Sequence, residues 1–182
     1  MSNPFLIGVA ALLSSHLVTG EAQTVLHCGI GHAHILQIER DSKIADTYVY
    51  YIRNGDHRTP VFGSAEDSRG TSVQAICTGR TTQALVLSGE FTSSYTKGFA
   101  LTSAKGRLER VDFAEHARPS WLYRNSGELL LVFQTDGLGE TNKKFTVYRH
   151  PFGSYVPTSS EGADVLPDAK GYVRSKLVHV EK

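Results

Sequence analysis

The sequence predicts an all-β protein built from antiparallel sheets, and three observations lead to that fold class. Short runs rich in Val, Tyr, Phe, Thr and Leu alternate with clusters of Gly, Asn, Asp and Ser, which is typical of strands and turns. Glycines follow Asn54, Lys105 and Ser126, where tight hairpin turns require positive φ. No window of useful length repeats its apolar residues with the period of a helix. Such a chain can form a sandwich, a barrel or a few propeller-like blades.

The predicted strands follow one another at short intervals. They cover residues 24–28, 33–39, 46–53, 73–78, 84–91, 98–103, 107–112, 120–124, 128–135, 144–150 and 172–180. The hairpin-like run 98–135 could form one blade of a propeller. Residues 151–170 are rich in Pro, Ser and Gly and show no periodicity, so we expect an irregular loop before a closing strand.

Two of these strands also have patterns that predict which faces are buried. Residues 129–133 are apolar at every position, as expected of a central strand that is covered on both sides. Residues 144–149 alternate with a period of two. Phe145 and Val147 should therefore face a core, while Lys144 and Thr146 should face solvent.

Residues 1–22 have the pattern of a secretory signal peptide. An apolar run over residues 5–13 is followed by small residues at Gly20 and Ala22, and the run is too short to span a bilayer. No Lys or Arg precedes Phe5, which leaves an N-terminal helix or strand that stays buried as the alternative. We expect export to the periplasm and, because the remaining length suits one core, a single β domain of residues 23–182.

The two cysteines, Cys28 and Cys77, are predicted to form a disulfide in that oxidising compartment. Closing a loop of this length would stabilise the fold by roughly 4 kcal/mol in the chain-entropy treatment. Two unpaired buried cysteines in a cytosolic protein are the alternative, and that alternative holds only if residues 1–22 are not a signal peptide.

Charge and hydropathy argue against several classes of partner. The formal net charge is +1, and acidic and basic residues are mixed along the chain, so no basic patch indicates nucleic acid or an anionic membrane. No second apolar segment approaches the length of a membrane span, so we expect no span after processing.

Metal binding and hydrolysis are the two chemical activities that the residue types raise. His27, His32 and His34 lie close to Cys28 and could hold zinc or copper. A disulfide would remove the thiolate, however, and His34 shares its strand face with Leu36 and Ile38, which favours a histidine at the edge of the core.

Serines and the histidines His57, His116 and His150 are available for a catalytic triad. The carboxylates Glu109, Asp112 and Glu115 lie close together in sequence, but alternation along a strand favours a solvent-exposed face. No Gly-x-Ser-x-Gly turn positions a nucleophile. We therefore predict neither an enzyme nor a bound cofactor.

The segment 88–98 should form the tip of a hairpin, because it separates two apolar strands. Small hydroxyl side chains offer adaptable hydrogen bonds, and tyrosine offers rigid contact area, so such a tip can enter a concave partner. The alternative is an ordinary polar turn. The predicted partner-binding residues are Thr92, Ser93, Ser94, Tyr95 and Lys97.

The same region resembles the periplasmic immunity proteins that neutralise peptidoglycan amidase effectors of type VI secretion. The resemblance covers about a third of the chain and rests on four short runs and one tryptophan, namely Ser68-Arg69-Gly70, Leu85-Val86-Leu87, Glu90-Phe91, Ser93-Ser94 and Trp121. In that family a serine-bearing loop enters the catalytic groove of the effector, a papain-like cysteine amidase. Ser93 and Ser94 match that loop, although the family has more cysteines and a glycine between its loop hydroxyls.

A second resemblance is to periplasmic lysozyme inhibitors, through Ser88-Gly89 and Tyr95. The spacing differs from the motif of those inhibitors, and their four-cysteine framework is missing. Both resemblances imply an exported β-protein that blocks a cell-wall hydrolase, here a cognate amidase. The alternative function is a periplasmic binding module for a metal or a small ligand.

Overall fold

A computed structural model describes residues 22–31, 34–79, 83–92, 94–138, 141–153 and 157–179. These residues form thirteen strands and no helix. The sequence predicts this all-β class and eleven of the strands, but not the two at residues 57–60 and 159–163. The strands are β1 (Gln23–Ile30), β2 (His34–Arg40), β3 (Tyr48–Asn54), β4 (His57–Pro60), β5 (Arg69–Thr78), β6 (Ala84–Phe91), β7 (Thr96–Ala104), β8 (Arg107–Glu115), β9 (Pro119–Arg124), β10 (Glu128–Gln134), β11 (Phe145–Pro151), β12 (Ser159–Ala163) and β13 (Val173–Lys176).

The strands build two antiparallel sheets. The first sheet has eight strands in the order β1-β2-β3-β5-β6-β7-β8, with β4 paired to β3. The second sheet has five strands in the order β12-β11-β10-β9-β13. The run 98–135 is divided between the two sheets, so it forms no propeller blade. Within the described strands the first sheet also does not close into a barrel, because β1 and β8 do not pair.

The first sheet curves until β1 lies over β5 and β6, and the predicted disulfide holds that curve closed. Cys28 on β1 and Cys77 on β5 are bonded, with their Cα atoms 5.5 Å apart. The enclosed core contains residues from both ends of the sheet, including Ile30, Leu36 and Phe99, each at most 1% exposed. The disulfide therefore joins strands that are distant in the sheet but adjacent in the core.

A second core lies between the two sheets, and β6 contributes to both cores. Leu85 and Leu87 point into the first core, whereas Ala84 and Val86 point toward the second sheet. The alternation of side chains along a strand explains this division. Strand β6 is consequently covered on both faces.

Strand β10 is covered on both faces too, as its sequence predicts. Leu129, Leu131 and Phe133 pack against the first sheet, while Leu130 and Val132 face the opposite side. Residues 163–172, which we call the covering segment, lie over that side of the second sheet. The side chains that pack there are Ala163, Leu166, Ala169 and Tyr172.

Two sequence expectations for this part of the chain are wrong. The stretch 151–170 is not irregular throughout, because β12 lies within it and pairs with β11. Thr146 is only 6% exposed rather than facing solvent. It projects from β11 toward the first sheet, while Phe145 and Val147 face the covering segment, so both faces of β11 are covered there.

Candidate functional site

The predicted partner-binding loop is the tip of the β6–β7 hairpin. The last paired residues are Glu90 and Thr96, so the connection is short. Thr92 and Ser94 are exposed, and Tyr95 is 38% exposed. Ser93 lies outside the described residues. The described part of the tip thus presents two hydroxyl side chains and part of one aromatic ring to solvent.

Buried aromatic residues fix the base of the tip on its β6 side. Phe91 is completely buried, and its ring packs edge-on against Phe62 at 4.8 Å and against Tyr50 at 6.1 Å between centroids. Edge-to-face packing at these separations is favourable beyond the area that it buries. The loop therefore leaves the sheet from a fixed point.

The β7 side of the tip is held by a close approach of two strands at Gly98. A Cβ at this position would lie 2.2 Å from the Leu87 carbonyl oxygen and 2.4 Å from Phe113 Cζ. Only glycine leaves room for this contact. The separation of the two strands just below the tip is thereby fixed.

Tyr95 and Lys97 each contact another side chain of this protein. The Tyr95 ring lies 4.5 Å from the His116 ring, and Lys97 Nζ lies 4.2 Å above the centroid of Phe62. An ammonium group over an aromatic face is attracted by the ring's quadrupole. Contacts within the protein thus hold both side chains in place.

A polar cleft of about 780 Å³ opens next to this hairpin, where the two sheets meet. A bulge in β5 forms one wall, since the pairing with β6 shifts register between Thr71 and Gln74, and Ser72 has a φ of 51°. Its other walls include Arg40, Glu90, Arg118 and His179.

Arg118 directly precedes β9 of the second sheet, and its side chain reaches across to the first sheet. Its guanidinium donates to the Ser88 carbonyl at 2.7 Å, to Ser88 Oγ at 2.9 Å and to the Ser72 carbonyl. Burial lowers the pKa of Arg118, and the negative charge of Glu90 opposes that shift. Arginine nevertheless stays protonated in proteins, and the three hydrogen bonds fix the orientation of this cation.

His179 occupies the same cleft and is held by two contacts. Its Nε2 donates to the Pro119 carbonyl at 2.7 Å, and its Nδ1 lies 3.0 Å from Gln74 Oε1. Burial lowers the pKa of His179, and the nearby positive charge of Arg118 lowers it further. The hydrogen bond to the Pro119 carbonyl opposes this shift, and burial outweighs it.

Sequence reasoning assigned no role to Arg118 or His179. His179 lies 60 residues from its partner Pro119 in sequence, and neither Arg118 nor His179 belongs to a short motif. Only the packing of one sheet against the other brings them together.

The residues considered for metal binding are not gathered in one place. His34 is partly buried beside Leu36, as its strand face predicts, and His27 is exposed. His32 lies outside the described residues. Among the residues that the structure describes, no group of three His, Cys, Asp or Glu side chains could hold a metal ion.

One of the candidate histidines does lie between a hydroxyl and a carboxylate. His150 Nδ1 is 3.0 Å from Thr158 Oγ1, and His150 Nε2 is 3.3 Å from Glu109 Oε2. In Ser-His-Asp triads the hydroxyl contacts Nε2 and the carboxylate contacts Nδ1, which is the opposite orientation. Glu109 also accepts from the Gly153 amide at 3.2 Å, so this group connects β8 to β11.

Comparison with known proteins supplies no relative. No protein family, curated protein or solved structure matches the chain. What the protein does must be inferred from its own residues. The residues that the structure describes form no helix that is long and apolar enough to cross a membrane.

Proposed function

We propose that this protein is an exported inhibitor that binds a cell-wall amidase effector, a papain-like cysteine hydrolase, and occludes its active site with the β6–β7 tip. The observation that carries the proposal is the tip itself. It presents Thr92 and Ser94 to solvent, and buried Phe91 and close-packed Gly98 fix its two ends.

The physical basis is preorganisation. A loop that is already ordered before binding loses little conformational entropy when it docks, so more of the contact energy contributes to affinity. Serine and threonine hydroxyls adapt to different hydrogen-bond partners, and tyrosine adds contact area with few rotatable bonds. A hydroxyl beside a catalytic Cys-His pair can occupy the place of the attacked carbonyl and presents no bond to cleave.

The proposed compartment agrees with the disulfide between Cys28 and Cys77. Such bonds persist in oxidising environments, of which the bacterial periplasm is one. A protein that acts there meets enzymes that degrade the cell wall. Export can be checked by isolating the protein from periplasmic extract and measuring its mass, which should correspond to a chain beginning at Gln23.

The tip is too small to account for tight binding alone. Stable complexes bury about 1,600 Å² in total, which requires roughly 20 residues or more from each partner. Neighbouring exposed side chains must therefore contribute, and His116, which packs against Tyr95, is placed beside the tip to do so.

The test is inhibition of purified papain-like peptidoglycan amidases, starting with any amidase encoded beside the gene. The wild-type protein should inhibit one of them with a stoichiometry of one to one. Ser94→Arg and Thr92→Arg place a long charged side chain at the tip, so each should weaken inhibition by about thirtyfold or more, as at a binding hot spot.

Ser126→Arg is the matched control, because Ser126 is also an exposed serine in a tight turn. It lines a second cleft together with Lys105, which follows the far end of β7. That end lies roughly 26 Å from the tip at the usual rise of a strand. If no amidase is inhibited, the proposed function is wrong. Equal inhibition by all three variants would instead reject the tip as the site.

A further inference from the structure

The partly buried arginines that the structure describes divide into two groups, and the division singles out the polar cleft. Among the described residues, five partly buried arginines have a carboxylate within 4.0 Å: Arg53, Arg58, Arg69, Arg110 and Arg149. Three partly buried arginines have none in the part of the chain that the structure describes, namely Arg40, Arg118 and Arg124. Arg40 and Arg118 both line the polar cleft, and Arg124 lines the second cleft.

A partly buried cation that contacts no carboxylate is costly, because an opposite charge at a distance offsets only part of the lost hydration, as the charge of Glu90 does for Arg118. Two such cations in one cleft indicate a place prepared for an anionic group. Both are also held in fixed positions, which is what recognition of a carboxylate by arginine requires.

Arg118 is fixed by its three hydrogen bonds to Ser88 and Ser72. Arg40 is fixed on the other side of the cleft, where Nε and Nη2 donate to Gln23 Oε1 at 2.9 and 2.7 Å. The Arg40 guanidinium also stacks 4.2 Å above the Tyr48 ring. Binding of a ligand would therefore not have to immobilise either arginine side chain.

The same cleft contains two carboxylates, which limits the ligand further. Glu90 accepts from Thr71 Oγ1 at 3.0 Å, and Asp46 lies at the exposed rim beside Lys43. Asp46 is already paired with Lys43 at 3.1 Å, so the fixed charges that remain for a ligand are those of Arg40, Arg118 and Glu90. A carboxylate beside the two arginines disfavours a dianion such as phosphate and suits a ligand that carries one charge of each sign.

We propose that the polar cleft binds a zwitterionic amino acid or short peptide, with the ligand's carboxylate on Arg118 and Arg40 and its ammonium on Glu90. The volume of about 780 Å³ lies in the usual range of small-molecule sites. Val73 is the only aliphatic side chain among the described lining residues, which agrees with a polar ligand. This site does not depend on the tip or on the proposed inhibition.

The experiment is isothermal titration of the intact protein with dialanine, in both enantiomers, and with three probes that each lack one charge feature. Dialanine amide lacks the carboxylate, N-acetyl-dialanine lacks the ammonium, and inorganic phosphate offers an anion alone. We expect at least one enantiomer of dialanine to bind saturably, with one molecule per chain and a Kd below ~10 mM. Each of the three probes that lack a charge feature should bind at least tenfold more weakly. The absence of dialanine binding, or equal or tighter binding of phosphate, overturns the proposal.

Three variants assign the charges to residues. Arg40→Gln should weaken dialanine binding by about tenfold and N-acetyl-dialanine binding by a similar factor, because both probes keep the carboxylate. Glu90→Gln should weaken dialanine by about tenfold and leave N-acetyl-dialanine unchanged. Arg107→Gln, an exposed arginine outside the cleft, is the control and should change neither.

If Glu90→Gln acts only by disturbing the structure, it should weaken the binding of both dialanine and N-acetyl-dialanine. That result overturns the assignment of the ammonium to Glu90. Ser94→Arg separates the two proposals of function, because it should lose amidase inhibition while keeping dialanine binding. The failure of one activity therefore leaves the other measurable.

Discussion

The two sheets cover their apolar faces in different ways. The first sheet rolls over itself, and a covalent bond between Cys28 and Cys77 holds β1 against β5. The second sheet packs one face on the first sheet and has the other covered by the covering segment, residues 163–172. The first arrangement is closed by a bond, whereas the second depends on side-chain packing and hydrogen bonds.

Besides an ion pair between Lys143 and Asp164 at 2.6 Å, the covering segment is held by a hydrogen bond to Glu128, at the start of β10. Its carboxylate accepts from Arg149 at 2.7 Å and from the Tyr172 hydroxyl. That hydrogen bond is the main reason that the pKa of Tyr172 is raised. Because local opening begins where few contacts must break, we expect the covering segment to open before the first sheet does.

The largest effect should come from removing the disulfide. The Cys28→Ala/Cys77→Ala variant frees a connection between residues 49 apart in sequence. It should lower the free energy of unfolding by about 4 kcal/mol, measured by denaturant titration. Reducing the wild-type protein should have the same effect. A loss below ~1 kcal/mol would show that packing alone closes the first sheet.

A smaller but still large effect should follow from a cavity in the second sheet. Leu131 is completely buried between the sheets, so Leu131→Ala should cost about 3 kcal/mol. Leu138→Ala is the matched control, because Leu138 is 79% exposed and its removal should change stability by less than ~0.5 kcal/mol. A single unfolding transition in both variants would show that the two sheets unfold together.

Releasing the covering segment should have a modest effect. Tyr172→Phe removes one hydrogen bond to Glu128 while Arg149 keeps its own, so the expected loss is about 1 kcal/mol. Hydrogen exchange should accelerate in residues 163–172 and remain slow in β5. Equal acceleration in both places would contradict the idea that the segment opens separately.

The smallest effect should be a change in pH dependence within the first sheet. Hydrogen bonds from Arg53 and Arg58 lower the pKa of Glu39, which is 5% exposed. Ionised Glu39 therefore stabilises the folded state fully at pH values above its unfolded pKa of about 4.3. This stabilisation is lost as the pH falls through the lower pKa that Glu39 has in the folded state.

Glu39→Gln should consequently lose less thermal stability than the wild type between neutral and acidic pH, measured as the shift in Tm. Glu161→Gln, at a carboxylate that is 64% exposed, should behave as the wild type does. An unchanged pH dependence in Glu39→Gln would show that this ion-pair group does not contribute.

The strands and the disulfide could be predicted because their causes are local or few. Strands are indicated directly by apolar and polar residues that alternate, by glycines in turns and by the run 129–133, which is apolar at every position. Two cysteines have only one possible pairing. Strand β12 was missed because Ser-Ser-Glu-Gly-Ala has turn composition, and the strand forms only because β11 offers an edge to pair with. The burial of Thr146 likewise depends on which sheet lies opposite it.

The functional regions show the same limit. The tip was visible as a polar interval between two apolar strands. The cleft was not, because Arg40, Glu90, Arg118 and His179 come from separate strands and from the chain's last described residues. Only the division of strands between two sheets makes these side chains neighbours.

Strand β6 has a consequence for how this protein could diversify. Its alternating side chains belong to both hydrophobic cores, and it leads directly into the tip. The scaffold therefore fixes the hairpin up to Phe91 and from Thr96 onward, whereas Thr92 and Ser94 between them are exposed. Under the proposed function, new target specificities can arise by exchanging these two exposed residues, with little loss of stability to restrain their divergence.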